Sequence, residues 1–200
     1  MIYSKIDAFL KQAIENFDLI PQERKVLLEQ IAAYVQEGMD KNAQVGLLYA
    51  CIHNSRRSQL GQVWGKVAAS YFGHYTIQTY SGGSESKALS PNVVDVLNEV
   101  GFKITRDRVS NNPLYSISYD DDQDKITCFS KKYNDITNPK KMFVAILTCA
   151  ATDPDCPDIM EADLKIITTY EDKVKSESSH AAISKEIATE CLYLFSKIRK

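Results

Sequence analysis

Apolar positions along the chain follow two rhythms. Ile6, Phe9, Leu10, Ala13, Ile14 and Phe17 recur at helical spacing from Ser4, which reads as an N-cap with Asp7 three positions on. A second helix is predicted after Pro21, whose fixed φ suits a first helical position. It runs through Val26, Leu27, Ile31, Tyr34 and Val35 to a stop at Gly38. Residues 1–44 are therefore expected to form a helical hairpin, packed on the rest of the chain because the polar stretch Asp40 to Gln44 is short. Then the rhythm changes. Val45 to Ala50 is a continuous apolar run, as expected of a strand buried on both faces. Leu60, Val63, Trp64, Val67, Ala68 and Tyr71 return to helical spacing, with Ser58 as a natural N-cap.

The alternation continues. Tyr75 to Tyr80 reads as a strand ended by the turn Ser81-Gly82-Gly83-Ser84, and Ser90-Pro91 opens a helix that Gly101 closes. Met142 to Thr148 and Leu164 to Thr168 are further buried strands, and Ala182 to Ile198 is a final helix. Strands alternating with capped helices predict an α/β fold, a doubly wound, three-layer parallel sheet of about four strands, with residues 45–200 as its catalytic domain. Leu114 to Tyr119 and Lys125 to Ser130 flank the acidic run Asp120 to Asp124 and predict a β-hairpin inserted near 114–130. Its turn reads as a solvated tip, since neither ligand spacing nor a glycine supports a metal loop.

Composition narrows the function classes. The formal net charge of −2 leaves no electrostatic footprint for nucleic acid or an anionic membrane, so any attraction for anions has to be local. No stretch reads as a transmembrane span and the first residues do not read as a secretory signal, so a cytoplasmic protein without a membrane partner is expected. Five cysteines, an odd number, argue against a secreted disulfide framework and for reactive thiols plus core residues, with Cys128 and Cys191 assigned to the core.

The candidate chemistry centres on Cys51-Ile52-His53-Asn54-Ser55-Arg56-Arg57-Ser58, placed between the buried strand and the helix. A loop in that setting aims successive backbone N–H groups and the positive end of the helix dipole at one point, which makes it an anion site. Cys51 at its floor is favoured as a thiolate nucleophile, and Arg57 can return over the rim to hold an oxyanion through paired hydrogen bonds. Cys149 and Cys156 follow the strand at 142–148, on the same sheet edge as Cys51, which suggests a thiol relay. Three histidines and no second cysteine pair argue against zinc, and no metal is expected. Asp172, after the last strand, is the candidate general acid.

These residues resemble a known family. Cys51-x-x-Asn54-Ser55-x-Arg57-Ser58-Gln59, the Ser81-Gly82-Gly83 turn, and Cys149…Cys156-Pro157 followed by Tyr170-Glu171-Asp172 resemble the thioredoxin-coupled arsenate reductases, which share the fold of the low-molecular-weight protein tyrosine phosphatases. The resemblance implies Cys51 as nucleophile, Arg57 as oxyanion clamp and Ser58 as hydrogen-bond donor to the thiolate. It also implies Asp172 as acid, Cys149 and Cys156 as relay thiols, no tightly bound cofactor, and thioredoxin as electron donor. The 1–44 hairpin and the 114–130 insertion lie outside the family pattern. His53 stands where the family usually has glycine, which predicts local strain that His53→Gly would relieve. Arg56, Gln62 and Lys173 depart from it as well.

Three readings are open. The first is an arsenate reductase working through a Cys51/Cys149/Cys156 relay. The second is a phosphatase that hydrolyses a phosphate monoester through a phosphocysteine, leaving the other cysteines idle. The third is a non-catalytic phosphate- or phosphoprotein-binding module.

Overall fold

The computed structural model describes residues 1–107, 110–150, 152–170 and 177–199. Helix α1 spans Ser4–Ile14 and, after a short 3-10 turn at Phe17–Leu19, α2 spans Gln22–Asp40. Both helices start slightly differently from expectation, Tyr3 and Pro21 being the flanking residues, and α2 runs through Gly38 rather than stopping there.

Strand β1 (Gly46–Cys51) is buried at every position, and helix α3 (Arg57–Tyr71) comes after it and the loop. Next come β2 (Gln78–Gly83), α4 (Pro91–Val100), β3 (Lys103–Arg106), β4 (Tyr115–Ser118), β5 (Ile126–Cys128), β6 (Phe143–Leu147), β7 (Leu164–Ile167) and α5 (Glu177–Ser196). Helix α4 keeps its expected ends, Ser90 before it and Gly101 at φ 110° after it. The strand expected at 75–80 lies later, so Ser81, Gly82 and Gly83 belong to β2 and not to a turn.

Strands β2-β1-β6-β7 form a parallel four-stranded sheet in that order, an α/β fold with the expected strand count. Successive β1 residues face opposite ways. Leu47 and Tyr49, with Val144 and Ile146 of β6, meet a core built with α1, α2, α3, α4 and α5. Leu48 and Ala50, with Phe143, Ala145 and Leu147, are covered by segments carrying Tyr133, Cys156 and Ile159. Ile6, Leu10, Leu28 and Ile31 of the first two helices belong to the same core as Trp64 of α3, whose ring stacks on Phe9 at 5.0 Å.

Strands β3-β4-β5 form a separate antiparallel sheet, one strand more than the hairpin expected at 114–130. Its acidic turn is solvated at Asp121, Asp122 and Asp124, as expected of a tip, but anchored at its start. Asp120 is 7% exposed and bridges Ile2, and Asp121 accepts from the Tyr3 hydroxyl at 2.7 Å and from Lys103 at 3.0 Å. The turn thus ties the insertion to the start of α1. Among the described residues no helix is long and apolar enough to cross a membrane, and no group of three or more His, Cys, Asp or Glu side chains could hold a metal ion.

Candidate active site

Parallel pairing of β1 with β6 puts their carboxyl ends side by side, and the positions of the candidate residues result from this. Ala50 pairs with Leu147, and the Thr148 N–H and hydroxyl both donate to the Ala50 carbonyl, at 2.7 and 3.0 Å. Cys51 and Cys149 therefore leave the sheet at one edge, each at the end of its strand. Cys51 is a free thiol 4% exposed, whereas Cys149 is fully buried and joined to Cys156 in a disulfide with a Cα separation of 5.9 Å.

The loop from Ile52 to Arg56 is turned so that its carbonyls face outward. Those of Ile52, His53 and Ser55 accept from the N–H groups of Glu85, Lys87 and Ser90 at 2.8, 3.1 and 3.0 Å. The N–H groups of His53, Asn54 and Ser55 have no acceptor among the described residues. A run of undonated N–H groups before a helix N-terminus is an anion site. Gly83, beside Cys51 in register, lets the loop come down on β2, since a Cβ there would meet the Ile52 carbonyl at 2.4 Å and the Asn54 nitrogen at 2.8 Å.

Asn54 is the residue on which the loop turns. Its φ is 46°, a region that asparagine tolerates better than most residues, and it is fully buried. The strain expected at His53 is not there, because the positive φ falls one residue later. His53 is instead half exposed, 3.5 Å from the Glu85 carboxylate. The Asn54 side-chain amide donates to the Ser58 hydroxyl at 2.9 Å, and its oxygen accepts from Gln59 at 3.0 Å and from the Lys131 N–H at 2.8 Å. Ser58 is not the cap expected of it. Helix α3 begins at Arg57, and the buried Ser58 hydroxyl lies 3.0 Å from the Cys51 sulfur. With one lone pair taken by Asn54, that hydroxyl is free to point its proton at a thiolate, which can only accept.

Arg57 is half-buried and donates from Nη1 to the Tyr170 carbonyl at 2.9 Å, and its other N–H groups have no acceptor among the described residues. Tyr170 is held in turn. Its hydroxyl donates to Glu190 of α5 at 2.6 Å, and Arg24 of α2 reaches the same carboxylate at 2.9 Å and the Thr169 carbonyl at 2.9 Å. Burial raises the Glu190 carboxyl above its ordinary value, with Arg24 and the Tyr170 hydroxyl acting in the opposite direction. Neither Arg24 nor Glu190 stood out in the sequence. The remaining thiols are not candidates, since burial pushes Cys128 and Cys191 up to about 12. Asp172, the expected acid, lies outside the described residues, as does Lys173.

No family model matches the chain. Known proteins nevertheless share parts of it. An arsenate reductase of Bacillus cereus (strain AH187) is 37% identical over 59 residues, 30% of this chain and 41% of that protein. An arsenate reductase of Bacillus anthracis matches to the same extent, so the match spans under half the length of these relatives. Among solved structures, an arsenate reductase in the phosphate binding state superposes with a TM-score of 0.51 at 16% identity, over 78% of this chain and all of that one. A low-molecular-weight phosphotyrosine phosphatase from Vibrio cholerae O395 superposes at 0.50 and 12% identity, over 76% of this chain and 95% of its own. The chain has the fold that these two kinds of protein share.

Proposed function

We propose that the protein is an arsenate reductase that draws its two electrons from its own thiols. The Cys51 thiolate, held by Ser58, attacks arsenic in an arsenate bound by the loop N–H groups and Arg57. A hydroxyl leaves as water with a proton from Asp172, and a sulfur–arsenic(V) bond has formed. Cys149 then attacks the Cys51 sulfur. The electron pair of the sulfur–arsenic bond goes to arsenic, arsenite departs, and a Cys51–Cys149 disulfide remains. Cys156 attacks Cys149, which frees Cys51 and leaves the Cys149–Cys156 disulfide for an external dithiol of the thioredoxin type to reduce. The role of Asp172 rests on the resemblance alone.

The single observation that carries this reading is the Cys149–Cys156 disulfide beside a free Cys51 at one sheet edge, which is the arrangement the last step would leave. The phosphatase reading keeps support from the fold likeness to the phosphotyrosine phosphatase and from the loop, which suits either oxyanion. The two are separated by measuring arsenate-dependent oxidation of thioredoxin beside hydrolysis of an aryl phosphate. We expect Cys149→Ser to abolish the first, and Cys51→Ser to abolish both. Aryl phosphate hydrolysis without any arsenate-dependent oxidation would leave the phosphatase.

A further inference from the structure

A cavity of about 330 Å³ opens between α3, β2 and the insertion, and none of residues 51–58 lines it. Its walls include Tyr80, Ile126 and Phe129, and Lys131 lies among them. Lys131 is only 5% exposed, and its ammonium stands 4.4 Å from the centroid of the Phe129 ring. The ammonium has no hydrogen-bond or ion-pair partner among the described residues. Asp135 acts on it only at longer range, and that carboxylate already takes the Thr137 N–H and hydroxyl at 2.9 and 2.7 Å. Lys66, on the same cavity, is different, since its ammonium donates to the Tyr75 and Ile77 carbonyls at 2.8 and 3.1 Å.

A buried cation facing open space without an anion is costly unless it loses its proton or gains a counter-ion, and burial does push the Lys131 amine down. We propose that this cavity is a second ligand site, taking a small organic monoanion whose carboxylate meets Lys131 and whose apolar, preferably aromatic, body lies against Phe129, Tyr80 and Ile126. The chemistry of the wall sets the class. Thr79 donates to the Gln62 carbonyl at 2.8 Å and Thr137 to Asp135, so neither hydroxyl is left for the ligand, and Asp124 stands against Lys66 and Lys125 among the lining charges, which leaves Lys131 as the buried cation for one carboxylate. Phe129, Tyr80 and Ile126 on the lining favour a ring. The site abuts the candidate active site without sharing its ligands, because the Lys131 main chain supports Asn54 while its side chain lines the cavity. It does not depend on the reduction chemistry.

Benzoate is the probe, with benzamide as its neutral counterpart, followed by amide NMR shifts of the full chain. We expect benzoate to shift Thr127, Phe129 and Thr137 saturably and benzamide to bind at least tenfold more weakly. Lys131→Met should lose the benzoate response by a similar factor, and Arg57→Met, which disables the oxyanion loop, should keep it. Equal responses to benzoate and benzamide, shifts confined to residues 52–58, or undiminished binding to a folded Lys131→Met protein would each overturn the proposal. If Lys131→Met does not fold, the benzoate-to-benzamide ratio in the wild-type protein still decides.

Discussion

At Asn54 the candidate oxyanion loop is braced by neutral hydrogen bonds from α3 and from residues 129–131, whereas at Arg57 it is braced through buried charges that reach back to the N-terminal hairpin. On the first side the donors and acceptors are the Lys131 N–H, the Gln59 amide and the Phe129 carbonyl, with the Ser130 hydroxyl on the His53 carbonyl. On the second, Arg57 rests on the Tyr170 carbonyl, Tyr170 on Glu190, and Glu190 on Arg24. The neutral brace does not titrate, and its main-chain groups survive side-chain substitution. The charged brace depends on protonation and fails when one partner is removed, because the other is left buried and unpaired. Each brace draws on a segment outside the pattern of the family that the sequence resembles, Phe129 and Ser130 of the insertion in one and Arg24 of the hairpin in the other.

The largest effect is expected at the neutral side. Asn54→Ala gives up asparagine's tolerance of φ 46° and removes bonds to Ser58, Gln59 and Lys131. At about 1 kcal/mol for the backbone and about 1 kcal/mol for each bond, less what the site recovers by relaxing, the loss is about 2–4 kcal/mol. That corresponds to roughly 30- to 1,000-fold in kcat/KM for whichever oxyanion is turned over. Asn54→Gly restores the backbone freedom but not the amide. If Asn54→Gly matched the wild-type phosphate affinity, the side-chain bonds would be shown to matter little and the neutral brace would reduce to backbone conformation.

Arg24→Met tests the charged side. It strands a Glu190 carboxylate that is 4% exposed, and breaking such a pair costs about 3 kcal/mol in stability, read as a lower denaturant midpoint. Phosphate affinity should fall with it, because the carbonyl that holds Arg57 loses its support. The pH dependence has a definite sign. A carboxyl raised above its unfolded value of 4.5 binds its proton more tightly when folded, so its contribution is fully present below 4.5 and is lost as pH rises through the raised folded value. Glu190→Gln keeps an acceptor for Tyr170 and should flatten that part of the stability profile. Arg24→Met, by removing the charge that holds the carboxyl down, should extend the window upward. Unchanged phosphate affinity in both variants would reduce the charged brace to a structural role.

Legibility in the sequence divides along the same line. Val45 to Ala50 and the helical spacing after Leu60 place the loop correctly, because a fully buried strand and a buried helix leave few polar interruptions to confuse the pattern. Strand β3 is invisible there because its residues read exposed, intermediate, exposed, exposed, with no apolar alternation. Strand β2 reads as ending early because glycines that suggest a turn are there for close approach, one to Tyr133 and one to the loop. Arg24 and Glu190 lie 166 positions apart, and no local period links them. Asn54 carries a usable signal, its tolerance of positive φ, but the missing glycine one residue earlier points the other way.

His53→Gly separates these two positions, and the smallest effect is expected of it. If the loop were strained at His53, glycine would relieve it and activity would rise. With the positive φ at Asn54, glycine at 53 relieves nothing and adds flexibility to the unfolded chain, a cost of about 0.5–1 kcal/mol. It also removes the contact to Glu85. Both side chains there are substantially exposed, so the pair contributes little. The variant should therefore melt slightly lower, with kcat/KM within about threefold of wild type, a factor that corresponds to less than about 1 kcal/mol. A rise of tenfold would return the strain to His53. A tenfold fall at unchanged stability would instead give the imidazole a part in holding the oxyanion.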